Sequence, residues 1–311
     1  MILCLGTTPA VQRVMVFPKL NLDAVNRAVT TVDGASGKSV NVAKVLKSLG
    51  AHPVAIGFLG GDRGAFVQRA LDEGGIENEF VTVAARTRQC ITVIDQSTAA
   101  HTELVEESGP ATSADFDALL AVARRRIARC QALVMSGTIA AGGPLDLYCQ
   151  LTRMAREAGA LAVVDAQGKA LTAALASGPD LVKPNRAELA ATVGRALTGE
   201  AEVKSAMREL QARGARMVVV TAGAGAVLAF DGGEFWRIEP PQVAAANPIG
   251  SGDAFTAGLV SRLVRGDDLG EACRWGAAAG AANALTLMPG ELRREDVEHL
   301  AGEVRVNLAA L

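Results

Sequence analysis

The 311-residue sequence predicts an α/β protein built around a mostly parallel sheet with helices on both faces. Three observations predict it. From about residue 113 onward, short apolar runs of strand length alternate with segments of helical spacing. The connections are long enough to hold a helix, as a parallel crossover requires. Polar or glycine-rich residues stand directly after the ends of the runs, where sheets of this class collect ligands.

Taken in order, Met1 to Gly6 reads as a first strand. Val11 to Phe17 with Ala28 to Asp33, and Arg88 to Gln96 with Thr102 to Glu107, read as strands with no helix between them. Two such excursions predict a small separate sheet, a discontinuous lid from about 11–33 and 86–108; extra edge strands of the main sheet are the alternative. Ala132 to Ser136, Leu161 to Asp165, Leu181 to Pro184 and Met217 to Thr221 come next as buried strands, and Leu145 to Ala158 has helical spacing. Asp231-Gly-Gly233, between Val227–Phe230 and Phe235–Ile238, is a hairpin signal. With no repeat, low-complexity tract or linker in view, residues 1–311 are expected to form a single domain plus its lid.

Composition narrows the function. Thirty-one Lys and Arg against 33 Asp and Glu give a formal charge of −2, which predicts neither a nucleic-acid nor an anionic-membrane partner. Cys4, Cys90, Cys130, Cys149 and Cys273 are odd in number and scattered, with no C-x-x-C, so free buried thiols in a reducing compartment are expected. His52, His101 and His299 lie far apart in sequence, which argues against a zinc site or a histidine triad. The N-terminus has no basic start before a long apolar run, and Gly276 to Met288 is too short to span a bilayer. A cytoplasmic protein acting on small molecules is the expectation.

Asn247-Pro-Ile-Gly250-Ser251-Gly252-Asp253-Ala-Phe-Thr-Ala-Gly258 is the most informative stretch. A loop should turn into a helix near residue 252, and glycine there lets backbone N–H groups approach a ligand. A helix N-terminus adds free donors and partial positive charge, so Gly250, Ser251 and Gly252 form a candidate anion hole. Asp253 beside that anion is a candidate base for a hydroxyl, the arrangement that phosphoryl transfer needs. The plainer reading is a capped helix with an acidic first turn.

Lys183-Pro-Asn185-x-x-Glu188 comes second. Asn185 and Glu188, three apart on a starting helix, face the same way and are candidates to hold Mg²⁺ through its waters. The same spacing is also a common helix start. Thr221-Ala-Gly223-Ala-Gly225 after a Val-rich strand suits a loop over nucleotide phosphates, or a simple turn between strands. Gly34-Ala-Ser-Gly37-Lys38-Ser39 is not a P-loop, because the position five before Gly37 is Val32. No dinucleotide fingerprint occurs either; after Gly223 and Gly225 the third position is Leu228.

Taken together, these motifs resemble the PfkB (ribokinase-like) carbohydrate kinases over nearly the whole chain, and most closely their 1-phosphofructokinase and tagatose-6-phosphate kinase branch. Thr8-Pro-Ala-Val, Ala35-Ser-Gly-Lys-Ser-Val-Asn41-Val-Ala, Gly57-Phe-Leu-Gly-Gly61, Thr87-Arg88, Glu107-x-Gly109-Pro110, Ser136-Gly137 and Asp165-x-x-Gly168 carry the likeness in order, along with Asn185-x-x-Glu188 and Gly250-x-Gly-Asp253. The resemblance implies a three-layer α/β/α fold with a β-sheet lid and an ATP-dependent sugar or sugar-phosphate kinase. Asp253 would be the base and Gly250 to Gly252 the anion hole. Lys183, Asn185, Glu188, Thr221, Gly223 and Gly225 would line the Mg²⁺–ATP side, with Gly280 and Asn283 near the adenine. Gln12, Gly37, Lys38, Asn41 and Arg88 would contact the acceptor, Lys38 and Arg88 being suited to a phosphate. The resemblance also implies a homodimer through the lid and a monovalent cation such as K⁺ near the anion hole.

The departures cluster on the acceptor side. The branch's hydroxyl-gripping Asp is Gln12, its preceding Asn is Thr8, and Ser36 and Ser39 replace glycines around Gly37-Lys38. Ser136-Gly-Thr-Ile-Ala-Ala-Gly142 and Asp165-Ala-Gln167-Gly168 are altered as well. Phosphoryl transfer is expected to be kept while the acceptor is open to change. A kinase of an unphosphorylated sugar or nucleoside, and a non-catalytic sugar-sensing protein, stay as alternatives.

Overall fold

A computed structural model describes residues 1–309. The chain runs β1 (Ile2–Gly6), β2 (Ala10–Phe17), β3 (Thr30–Ser36), α1 (Lys38–Ser48), β4 (Pro53–Leu59), α2 (Gly61–Glu73), β5 (Glu77–Thr82), β6 (Arg88–Asp95) and β7 (Ala100–Val105). It continues through α3 (Ser113–Ile127), β8 (Ala132–Ser136), α4 (Leu147–Glu157), β9 (Leu161–Asp165), α5 (Gly168–Leu175), β10 (Leu181–Val182), α6 (Arg186–Val193) and α7 (Glu200–Ala212). Then come β11 (Met217–Ala222), β12 (Gly225–Phe230), β13 (Phe235–Glu239), α8 (Ser251–Leu263), α9 (Leu269–Ala284), α10 (Arg294–Ala301) and β14 (Arg305–Ala309).

Ten strands form the main sheet in the order β14-β13-β12-β11-β10-β9-β8-β1-β4-β5. From β11 to β5 the pairs are parallel; β12, β13 and β14 extend one edge antiparallel. Alternate strand residues feed two cores. Ile2 and Cys4 of β1 pack with α1, α2, α8, α9 and α10, while Leu3 and Leu5 pack with α3 to α7. Burial on both faces explains why these strands read as unbroken apolar runs. The sheet order reverses at β1, which has β4 on one side and β8 on the other, so the strand ends there open a crevice.

The second sheet, order β3-β2-β6-β7, is built from the two excursions expected of it. β2 pairs antiparallel with β3 and parallel with β6, and β6 pairs antiparallel with β7. It is a separate sheet and not an extension of the main one. Val14, Val16 and Ile94 on its inner face pack on Met288 of the segment after α9. Strand β4 is an apolar run as clear as the others but was not among the strands expected, while β5 and β14 are largely polar and carry a weaker signal. β10 is only two residues long because Pro184 ends its ladder.

Candidate active site

A cleft of about 590 Å³ opens where the ends of the parallel strands meet the small sheet. Its floor is made of residues at or just beyond the ends of β8, β9, β10 and β11: Gly137, Thr138, Asp165, Gln167, Lys183 and Thr221. Its walls are the starts of α1, α6 and α8 and the inner face of the small sheet.

Two of those helices start on glycine. Gly37 caps α1 at φ 105° and Gly250 caps α8 at φ 84°, both in the region that favours glycine. A side chain at Gly37 would meet Pro9 Cα at 2.8 Å, and one at Gly250 would meet Pro289 Cβ at 2.8 Å. Neither helix has a side-chain cap. At α8 the N–H groups of Ser251 and Asp253 already turn back to Pro248 O and Gly250 O. The Gly250 and Gly252 N–H groups have no partner among the described residues, so the anion hole narrows to those two donors.

Asp253, 7% exposed, stands in the first turn of α8. Asn41 Nδ2 of α1 donates to its Oδ2 at 2.8 Å, and Ser36 Oγ donates to Asn41 Oδ1 at 3.0 Å. Burial pushes the Asp253 carboxyl up to about 6, and nearby Asp165 adds to the rise. Lys38, Asn41 and Lys183 oppose it. Asp253 is thus the acidic first-turn residue of the plainer reading, but a buried one, where an exposed carboxylate would be solvated and acidic. Asn41, expected on the acceptor, lines the cleft and also holds this carboxylate.

Asp165 was visible in sequence as a strand-end residue and a member of one family-like motif, with no role assigned. It is buried at the end of β9, with Lys183 Nζ at 3.1 Å, Lys38 Nζ at 3.8 Å and a 2.8 Å hydrogen bond from Thr256 Oγ1. Burial would raise its carboxyl, but Lys183 and Lys38 together hold it below the usual range. Lys38 also lies 3.7 Å from Glu188 Oε1. Asp165 is the largest cause of the raised Lys38 pKa. The Lys38 ammonium is thus drawn to the floor and to α6, between the expected acceptor and nucleotide sides.

Asn185 and Glu188 form a capping box on α6: Asn185 Oδ1 accepts from Glu188 N, and Glu188 Oε2 accepts from Asn185 N, both at 2.9 Å. The helix-start use of this motif is therefore real, and it leaves Glu188 Oε1 facing Lys38. Thr221 lines the cleft, whereas Gly223 and Gly225 form an exposed turn between antiparallel β11 and β12 and do not. Gly280 and Asn283 also stay outside the cleft lining. Asn283, 1% exposed, donates to Ile249 O at 2.9 Å and accepts from Gly290 N at 2.8 Å. It clasps the anion-hole loop from behind.

On the lid side, Arg88 Nε donates to Thr8 O at 3.2 Å. Gln12, 2% exposed, lines the cleft and its Nε2 donates to Thr92 Oγ1 at 2.9 Å, which leaves Oε1 without a partner among the described residues. Cys90, Glu103, Val105 and Glu107 join them; of these only Glu107 belongs to a motif read from sequence, and none was expected on the acceptor. Only the period-2 alternation of β6 and β7, read once their pairing is known, marks them as inward.

Residues 1–290 match the family model described as pfkB family carbohydrate kinase. The chain is 36% identical over 267 residues to a 1-phosphofructokinase of Rhodobacter capsulatus, covering 85% of this chain and 84% of that one. The solved structure of phosphofructokinase-2 from Escherichia coli in complex with fructose-6-phosphate is 27% identical, with a TM-score of 0.86 over 97% of each chain. Arabidopsis thaliana ribokinase, complexed with ribose and ATP, shares the fold at 19% identity and a TM-score of 0.75, over 96% of this chain and 97% of that one.

Proposed function

The chain belongs to the pfkB family of carbohydrate kinases, and from that premise we propose how its own residues perform the transfer. It is an ATP-dependent sugar-phosphate kinase, a phosphotransferase with an alcohol as acceptor. Asp253 is the base in this reading. The observation that carries it is one buried carboxylate, aimed by Asn41 and set beside the open N–H groups of Gly250 and Gly252. A primary hydroxyl of the acceptor attacks the γ-phosphoryl, its proton passes to Asp253, and the two N–H groups stabilise charge on the phosphoryl oxygens. A pKa near 6 keeps Asp253 mostly ionised above pH 7 yet makes it a stronger base than an ordinary Asp. Lys183 and Lys38 carry positive charge to the side where ATP phosphates would lie.

Mg²⁺ arrives with ATP. Among the described residues no group of three His, Cys, Asp or Glu surrounds a metal position, which fits an ion that keeps its waters and takes few protein ligands. Asn185 and Glu188 would hold it through water, and it would neutralise phosphate charge. For a monovalent cation such as K⁺, the Ile249 and Leu287 carbonyls beside the anion hole each accept one hydrogen bond, from Asn283 and Asn247 Nδ2, and each keeps a lone pair available to such an ion; no step is routed through it.

We read residues 1–311 as one kinase unit whose small sheet closes over the acceptor as a lid. The lid's outer face carries half-buried Met15, Ile91 and Val93 and exposed Leu104, an apolar sheet face suited to a second copy. Phosphofructokinase-2 of Escherichia coli has a tetrameric inhibited form. No helix among the described residues is long and apolar enough to cross a membrane.

The test is ADP release from Mg-ATP across hexose 1- and 6-phosphates, free sugars and nucleosides. Turnover with a sugar phosphate supports the reading; turnover confined to free sugars or nucleosides, or none with ATP still bound, overturns it.

A further inference from the structure

The inner face of the small sheet is organised in rows. Ala10, Arg88 and Ser36 share one row, and Gln12 and Cys90 pair with Gly34 and Val105 in the next. Val14, Thr92 and Glu103 share the third, and Val16, Ile94 and His101 the fourth. Gln12 does not point straight across its row but reaches diagonally to Thr92. Its Nε2 is thereby spent, which leaves the neutral Oε1 as the only acceptor this side chain offers the cleft, with no charge to strengthen its hydrogen bonds. Glu103 sits opposite Thr92 on the edge strand β7, lines the cleft, and makes no hydrogen bond or ion pair among the described residues.

Glu103 is also held in place. His101, two residues earlier on the same face, places Nε2 2.9 Å from Ala246 O, bridging the edge of the small sheet to the loop that leads into the anion hole. A carbonyl can only accept, so this ring nitrogen carries the proton. Glu107, the other unpaired carboxylate of this wall, lies beyond the end of β7 and lacks that anchoring. A carboxylate has acceptor sites only and so matches the donors of a sugar's hydroxyls. It would repel the substrate's phosphate, for which Arg88 is the complementary group.

We propose that Glu103 is a specificity-determining residue of the kinase, supplying beside the neutral Gln12 a charged acceptor for hydroxyls of the sugar. The proposal deepens the sugar-phosphate reading and rests on it for the choice of acceptor. Hydrogen bonds to a charged acceptor are the strong ones, so removing the charge should weaken acceptor binding about ten- to a hundredfold.

The experiment measures steady-state kinetics of wild type, Glu103→Gln and Glu103→Asp with Mg-ATP and fructose 1-phosphate, fructose 6-phosphate or free fructose. Expected is an acceptor KM raised about ten- to a hundredfold in Glu103→Gln, partly restored in Glu103→Asp. The KM for ATP and kcat at saturating acceptor should stay within about threefold, which a folding defect would not spare. An acceptor KM within about twofold of wild type in both variants overturns the role. If only free fructose is turned over, the sugar-phosphate reading falls, while a KM rise for fructose still upholds Glu103. No turnover of any of the three sugars by wild type overturns both.

Discussion

The two ends of the cleft are built differently. At the transfer end every charged group is buried or tied. Asp253 is held by Asn41, Asp165 by Lys183 and Thr256, and the anion-hole loop by Asn283. At the acceptor end the side chains stand on strands of a small sheet; Glu103 and Glu107 have no polar partner among the described residues and Gln12 faces a neighbour. A preorganised end suits chemistry that depends on positioning and electrostatics. A sparsely tied wall can change substrate without disturbing that chemistry, and Gln12, one of the departures read from sequence, stands there.

The sharpest way to break the contrast is Asp253→Asn. Turnover should fall about 10²–10⁴-fold with ATP binding kept; a variant retaining more than about a tenth of wild-type rate removes Asp253 as base. The same substitution should stabilise the fold. A carboxyl whose folded pKa is raised holds more protons than in the unfolded chain between about 4 and 6. Its contribution is therefore full at low pH and is lost as pH rises through that window. At pH 7.5 removing the buried charge should gain on the order of 1–3 kcal/mol, read as a higher Tm. A lower Tm would show that the ties to Asn41 and the lysines outweigh burial.

Asn41→Ala should come next, lowering kcat about tenfold or more while acceptor KM moves little, because the carboxylate loses its aim. Equal rises in acceptor KM would return Asn41 to the substrate-contacting role read from sequence. The pH profile of kcat/KM should show an acidic limb near pH 6, falling tenfold per unit below it, since protonated Asp253 cannot accept a proton. In Asp253→Asn the residual rate should lack that limb. The smallest effect is expected at the outer face of the small sheet. Val93→Asp should convert a dimer to monomer by light scattering and leave kcat within about threefold; a wild-type monomer refutes that interface.

The parallel sheet and its helical layers were legible because burial on both faces leaves an unbroken apolar run, as in Ala132 to Ser136. Both lid excursions were legible for the opposite reason, strand pattern without helices between. Gly250-Ser-Gly-Asp253 is local, since one loop-to-helix turn supplies donor and base together. Asn185 and Glu188 were placed correctly on a starting helix, where they also bond each other. Beyond these the sequence alone could not reach. Asn41 meets Asp253 across 212 positions and Thr256 meets Asp165 across 91, and only the packing of α1 against α8 and of α8 over the strand ends joins them. That Gln12 and Glu103 line the same cleft depends on how the rows of β2, β6 and β7 align, a register set by long-range pairing and invisible along the chain. The sequence by itself determined the layers and the transfer motif, because both arise from neighbouring residues. Tertiary structure decided the ionisation of Asp253 and the lining of the acceptor wall, because burial and strand register are properties of the assembled fold.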